Sequence, residues 1–260
     1  MSVRNKLLLF VVSFSSIFWI FRTIDRGKIL FVDLSELSGL PWLYSSIGLI
    51  FSILAAFTIQ KEWEHWNELV EAINGEVNAL EELLLRCRHV PECADSIVAH
   101  TEQYLSHILE YWPTISAGIR SEEGDRIVSL LRSDIMEEST ESGKVLLLPL
   151  LDDIIRSRNK RIFQSRSHIP RILKNTLVIA DIIMIVLSLF IGVRNPMLDY
   201  IFTVSIGVLA YTIYLVIDDL DSPFRPGAWH LSPDEYKALL DNIKKNRSAS
   251  CLTLPAGRAE

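Results

Sequence analysis

Apolar and polar positions fall into long blocks along this chain. Leu37 to Gln60 carries no charged side chain, and as a helix it can cross a hydrocarbon core of about 30 Å. Charges return from Lys61 to Arg88, yet an apolar stripe persists through Ile59, Trp63, Trp66, Val70, Ile73, Val77, Leu80 and Leu84. Steps of four and three are the a/d spacing of a helix that packs on other helices. No proline lies between Trp42 and Val90, while Pro41 and Pro91 flank the stretch. The pattern predicts one continuous helix, roughly 75 Å long, that begins in lipid and ends in water.

Three further apolar blocks read as spans. Leu7–Phe21 is short, about 22 Å as a helix; no small-residue cleavage site follows it, so it reads as an uncleaved signal anchor with Lys6 and Arg22 at its ends. The third span covers about 175–193 and the fourth about 200–217, joined by the short turn Arg194-Asn195-Pro196-Met197. The chain thus divides into an N-terminal membrane region, 1–60, with spans at about 7–21 and 39–60, a helical bundle, 61–173, and a transmembrane hairpin, 174–218. A C-terminal segment, 219–260, ends in a tail expected to be disordered. The expected fold is all-α: a polytopic membrane protein with four transmembrane helices and a cytosolic bundle inserted between spans two and three.

Basic residues set the orientation. Arg156, Arg158, Lys160, Arg161, Arg166, Arg171 and Lys174 crowd the approach to span three, against Arg194 alone in the hairpin turn. The bundle is then cytoplasmic, with both termini on the same side of a cell inner (plasma) membrane. Arg22, Arg26 and Lys28 after span one pull the other way, but that asymmetry is smaller.

The bundle is helical throughout. Ala94–Trp112 aligns Ile97, Thr101, Tyr104, Leu105, Ile108 and Trp112, and Pro113 ends or kinks it; 122–137 aligns Ile127, Leu130, Leu131 and Ile135; 144–166 is interrupted by Pro149. Ser232-Pro233-Asp234-Glu235 reads as a helix start with a capping glutamate, opening a helix to about Lys245.

Composition adds exclusions. A formal charge of −6 disfavours nucleic acid as a partner. The three cysteines show no metal or redox spacing. Phosphate loops, nucleophile elbows, zinc-protease and calcium-loop motifs are missing, so no catalytic residue, metal or cofactor is expected and the chain does not read as an enzyme. His100 and His107 read as structural. Glu62, Glu64, Glu68 and Glu71 form either a cation-binding face or a solvated flank of the seam. Asp181, inside span three, marks a polar contact between helices, a pathway, or a carboxylate one turn inside the headgroups. Leu49, Ile53 and Phe57, spaced by four, either face lipid and neighbouring helices or form apolar rings around a symmetric pore that gates by dewetting.

The stretch IGLIFSILAAFTIQKEWEHWNELVEAINGEVNALEELL resembles the second span and neck helix of bestrophins. HIP before span three, the hairpin, and DDLDSPF then LSPDEY after span four are similar to the bestrophin order as well. The match is nearer to the bestrophin-like domain family of bacterial membrane proteins, whose function is unassigned. It covers residues 40–85 and 168–236. The resemblance implies a pentamer, a homo-oligomer with its central pore lined by span two, and conduction of chloride or other small inorganic anions. It places the neck at Leu49, Ile53 and Phe57, an assembly seam at Trp63, Trp66, Val70, Ile73 and Val77, and a post-span motif at Asp221, Pro223 and Phe224. The chain departs from the family in lacking the long acidic calcium clasp, in carrying Thr58 rather than a basic residue after Phe57, and in the glutamates below the neck. The expectation is an oligomeric ion channel of the lipid bilayer. The competing reading is a non-conducting, membrane-anchored scaffold or sensor that works through its bundle.

Overall fold

The computed structural model describes residues 3–24, 40–190 and 195–252. Among these, all regular structure is helical: α1 (Val3–Ile24), α2 (Leu40–Arg86), α3 (Pro91–Glu110), α4 (Trp112–Ser116), α5 (Glu122–Glu138), α6 (Glu141–Arg166), α7 (Arg171–Phe190), α8 (Pro196–Leu220) and α9 (Asp234–Leu252). Four of them, α1, α2, α7 and α8, are long and apolar enough to cross a membrane. Expectations for Arg26, Lys28, Arg194, the end of span three at 191–193 and the tail from Thr253 fall outside the described residues.

The chain packs as two units. The first contains α1, α2 up to Trp66, α7, α8 and the loop to His230. Here α1 runs antiparallel to α8: Phe10 stacks on Tyr211 at 4.2 Å, Ser15 meets the Tyr200 hydroxyl at 3.1 Å, and Arg22 pairs with Asp199. Gly207 lets the helices approach closely, since a Cβ there would stand 2.6 Å from the Phe14 ring. α7 and α8 form an antiparallel hairpin tied by Lys174–Asp218 at one end and by the Thr203 hydroxyl on the Ser188 carbonyl at the other. α2 lies antiparallel to α7, with Gly48 beside Met184 and Phe51, Ala55 and Ile59 packed among Leu177, Ile217, Leu173 and Ile169. The start of α1, the charged part of α2, the start of α7 and the end of α8 therefore share one end of the unit.

The second unit contains Asn67–Ser167 and the segment from Leu231. α3 is its centre, flanked by α5 and α9, with α6 against α5 and α4. Leu69, Leu80, Leu83, Ile97, Leu105, Ile108, Ile127, Leu131, Leu147, Leu151 and Ile154 fill the core. Burying each such side chain contributes roughly 1.5–3 kcal/mol relative to leaving it in water. Ser121 and Thr140 cap α5 and α6 by accepting the Gly124 and Gly143 amides.

Several boundaries differ from expectation. Helix α1 is 22 residues, about 33 Å, and not the 15-residue segment 7–21, because Val3–Lys6 and Arg22–Ile24 continue it past the apolar block. α3 begins at Pro91, where proline suits the first turn. Trp112 leaves α3 and opens α4, as Pro113 cannot continue the preceding helix but fits a new one. Pro149 does not interrupt α6, which runs through it on the strength of a buried flank at Leu147, Leu151 and Ile154. Helix α9 runs to Leu252, so the first part of the expected disordered tail is helical.

Candidate functional site

Helix α2 presents two faces. At about 100° per residue, Phe51, Ala55, Thr58, Glu62 and His65 share one side, and all are buried. Leu49, Ile53 and Phe57 lie on the other side, 63%, 50% and 68% exposed. Among the described residues nothing covers them. Thr58 returns its hydroxyl to the Leu54 carbonyl at 2.8 Å and presents no polar group outward. Of the four glutamates, Glu64, Glu68 and Glu71 are exposed, whereas Glu62 is buried within 3.7 Å of His65 and does not belong to a solvated flank.

The seam residues divide. Trp66 is half-buried and donates its indole N–H to the Trp229 carbonyl at 3.0 Å. Trp63 stacks on Trp66 at 5.4 Å and meets Trp229 edge-on at 6.2 Å, yet stays largely exposed. In the second unit Val70 is half-buried while Ile73 and Val77 are buried. The buried stripe there runs through Leu69, Ala72, Ile73, Glu76, Leu80 and Leu83, rotated from the sequence seam.

The post-span motif organises the end of the first unit. Asp221 accepts the Ile169 amide at 3.0 Å and, with Asp218, holds the Lys174 ammonium at 3.2 and 2.8 Å. Asp219 receives the Ala228 and Trp229 amides, which positions the carbonyl that Trp66 uses. Gly227 is required beneath Asp219, since any Cβ would overlap its carboxylate. Pro223 is buried and Phe224 half-buried.

Asp199 on α8 and Asp181 on α7 are both buried, in contrasting surroundings. Asp199, in the first turn of α8, pairs with Arg22 at 2.5 Å, where the helix N-terminus also favours its charge. Asp181 is midway along α7 and 8% exposed, and its Oδ1 has no hydrogen-bond partner. It lies ten residues past Arg171, about three helical turns into α7.

Sequence reading missed the polar centre of the second unit. Glu76, fully buried on α2, accepts two bonds from Arg161 on α6 (2.7 and 3.1 Å), one from Tyr104 on α3 (2.6 Å) and one from Tyr236 on α9 (3.1 Å). Burial, reinforced by the Glu76 charge, raises both tyrosines far above their ordinary range, so they remain donors. Burial works against the Arg161 charge, but Glu76 outweighs it and holds the guanidinium protonated. Beside it, Arg158 and Arg120 grip Asp125 at 2.5 and 2.7 Å; they outweigh the effect of its partial burial and lower its pKa. The only hint in the sequence was one glutamate on an otherwise apolar helix side. His100 bonds Asp134 at 2.6 Å and His107 bonds Ser121 at 2.7 Å, both within the packed helices. Among the described residues no cluster of His, Cys, Asp or Glu side chains is arranged to hold a metal ion.

A sequence comparison with curated proteins finds no match. Solved structures do match in fold. A variant of a bacterial bestrophin homologue from Klebsiella pneumoniae superposes with a TM-score of 0.69 at 15% identity, covering 95% of this chain and 97% of that one. Another structure of a Klebsiella pneumoniae homologue gives 0.67 at 14% identity, covering 95% and 99%. The bestrophin-like domain profile matches residues 8–236, from the first membrane helix to the Tyr236 that closes the Glu76 cluster, and the chain belongs to the bestrophin-like family of membrane proteins.

Proposed function

We propose that the chain is one subunit of an oligomeric ion channel of the inner membrane, with α2 lining a central pore and its neck at Leu49, Ile53 and Phe57. The observation that carries this reading is the two-sided α2. Its inner face packs on α7 and α8, while an apolar, four-residue-spaced stripe at Leu49, Ile53 and Phe57 stays open. Five copies, as the family resemblance implies, would bring such stripes together into apolar rings, a constriction that gates by dewetting. The shared end of the first unit, with its basic approach to α7, supports a cytoplasmic second unit and cytoplasmic termini. Trp63, exposed and stacked just below the neck, is suited to contact a neighbouring copy.

The family resemblance supports anion conduction. Below the neck, Glu64, Glu68 and Glu71 are exposed on the stripe's side of α2, an arrangement that favours cations. Part of that charge is masked: Lys160 pairs with Glu71 at 2.6 Å and Lys61 lies 4.0 Å from Glu64, while Glu68 accepts a bond from the neutral Gln164 amide. The test is ion flux from liposomes holding the purified protein, with oligomer mass measured in the same detergent. Phe57→Ala should widen the neck and raise conductance severalfold. An assembly of one or two copies, or unchanged currents in both Phe57→Ala and Ile53→Ala, would sink the pore assignment.

The second reading, a membrane-anchored scaffold or sensor, is favoured by a groove of about 770 Å³ in the second unit, lined by Leu84, Arg88, Asp95, Val98, Leu239 and Ile243 among others. Its volume is that of a ligand site. Monomeric or dimeric protein without flux would select it.

A further inference from the structure

Asp181 poses a problem that the pore reading does not resolve. It lies ten residues from the start of α7 and nine from its end (181 − 171 and 190 − 181), so its carboxyl is at mid-helix. It is 8% exposed, and Oδ1 is enclosed without a hydrogen-bond partner. Buried polar groups are almost always paired, and an ionised carboxylate amid apolar helices is strongly disfavoured without a partner. Asp199 shows how the same helices treat a carboxylate that has a partner, with Arg22 at 2.5 Å. Asp181 has no such cation. Lys174, the one basic group at its cavity, is two helical turns away on the same helix, about 10 Å along the axis, and is committed to Asp218 and Asp221.

The cavity at Asp181 is small, with room for about one water molecule. α2 contributes Phe51 to its wall, α7 contributes Lys174 and Leu177, and α8 contributes Ile213, Tyr214 and Ile217. The titratable groups facing it are thus Lys174 from α7 and Tyr214 from α8, with none from α2. Phe51 belongs to the cluster with Ala55, Leu177 and Ile217 that seats α2 on the hairpin.

We propose that Asp181 is a proton-binding site between α2, α7 and α8, neutral while α2 is seated on the α7–α8 hairpin and ionised when the cavity opens to water. Proton uptake closes the site, because the neutral carboxyl needs only one acceptor for its O–H and the cavity water can supply it. Proton release draws further water to the carboxylate, past the Phe51 ring, and loosens α2. The packed state then holds one more proton than the loosened state, so its stability falls as pH rises. This inference does not depend on conduction; it concerns how α2 is seated whether or not α2 lines a pore.

The experiment is infrared spectroscopy of the full-length protein in detergent, paired with thermal unfolding across about pH 6 to about pH 9, for wild type, Asp181→Asn and Asp181→Glu. Wild type should show the carbonyl stretch of a protonated carboxyl near neutral pH; the band should vanish in Asp181→Asn and shift in Asp181→Glu. On the alkaline side the wild-type midpoint should fall by about 2–4 °C relative to Asp181→Asn, which stays flat over the same range. Only one variant need fold to identify the band. An ionised carboxylate throughout, or the same pH dependence in wild type and Asp181→Asn, overturns the proposal.

Discussion

At the scale of single residues, Glu76 carries the heaviest consequences. Its carboxylate is fully enclosed, and Arg161 is nearly so. Such a pair contributes little net stability compared with an apolar replacement of both partners, but losing one partner strands the other. Glu76→Ala should therefore cost about 3–5 kcal/mol, read by denaturant unfolding of the purified protein. Exchanging Glu76 and Arg161 together for apolar residues should cost less than Glu76→Ala alone. A double change as damaging as the sum of both single changes would show that the two groups do not act as a pair. The cluster was hidden from the sequence for a physical reason: Tyr104, Arg161 and Tyr236 are 28, 85 and 160 residues from Glu76. Periodicity reports which side of a helix is buried; it does not report which distant polar groups meet there.

Among elements, the helices themselves were the legible part. Four apolar blocks became four long apolar helices because length and hydropathy are local properties. The long α2 was legible from its missing prolines and uninterrupted period. Boundaries were less so, since polar residues at helix ends continue α1 beyond its apolar block, and a buried flank carries α6 through Pro149. The close approach of α1 to α8 could not be read at all, because it depends on the absence of a side chain at Gly207. Gly207→Leu should drive Phe14 out of its seat and release α1, shown by new protease sensitivity near Ile24. A substituted protein as resistant as wild type would mean that α1 is held by Arg22–Asp199 and the Phe10–Tyr211 stack alone.

For the whole molecule, if Leu49, Ile53 and Phe57 form the proposed neck, the charge on α2 beyond them decides which ions pass. The resemblance pointed to anions while the glutamates of α2 pointed to cations, and the sequence held both without weighing them. The structure adds a masking partner, Lys160 on Glu71, from the C-terminal part of α6. If the chain conducts, Lys160→Gln should unmask Glu71 and move the reversal potential toward that of the cation under a salt gradient. The shift should shrink as salt rises, because the Debye length falls from about 10 Å at 0.1 M to about 3 Å at 1 M. An unmoved reversal potential at low salt would take Glu71 off the ion's path.

The Glu76 cluster also sets a schedule for making the protein. At roughly 5–20 residues per second of synthesis, Tyr236 follows Glu76 by about 8–32 s. Arg161 arrives midway, but α7 and α8 must both be synthesised before the last hydroxyl is available. Until then the nascent second unit carries an incompletely bonded carboxylate and an uncovered flank on α3, a form that quality-control proteases and chaperones can recognise. Completion of this one contact set thus requires that every helix from α2 to the start of α9 has already been made.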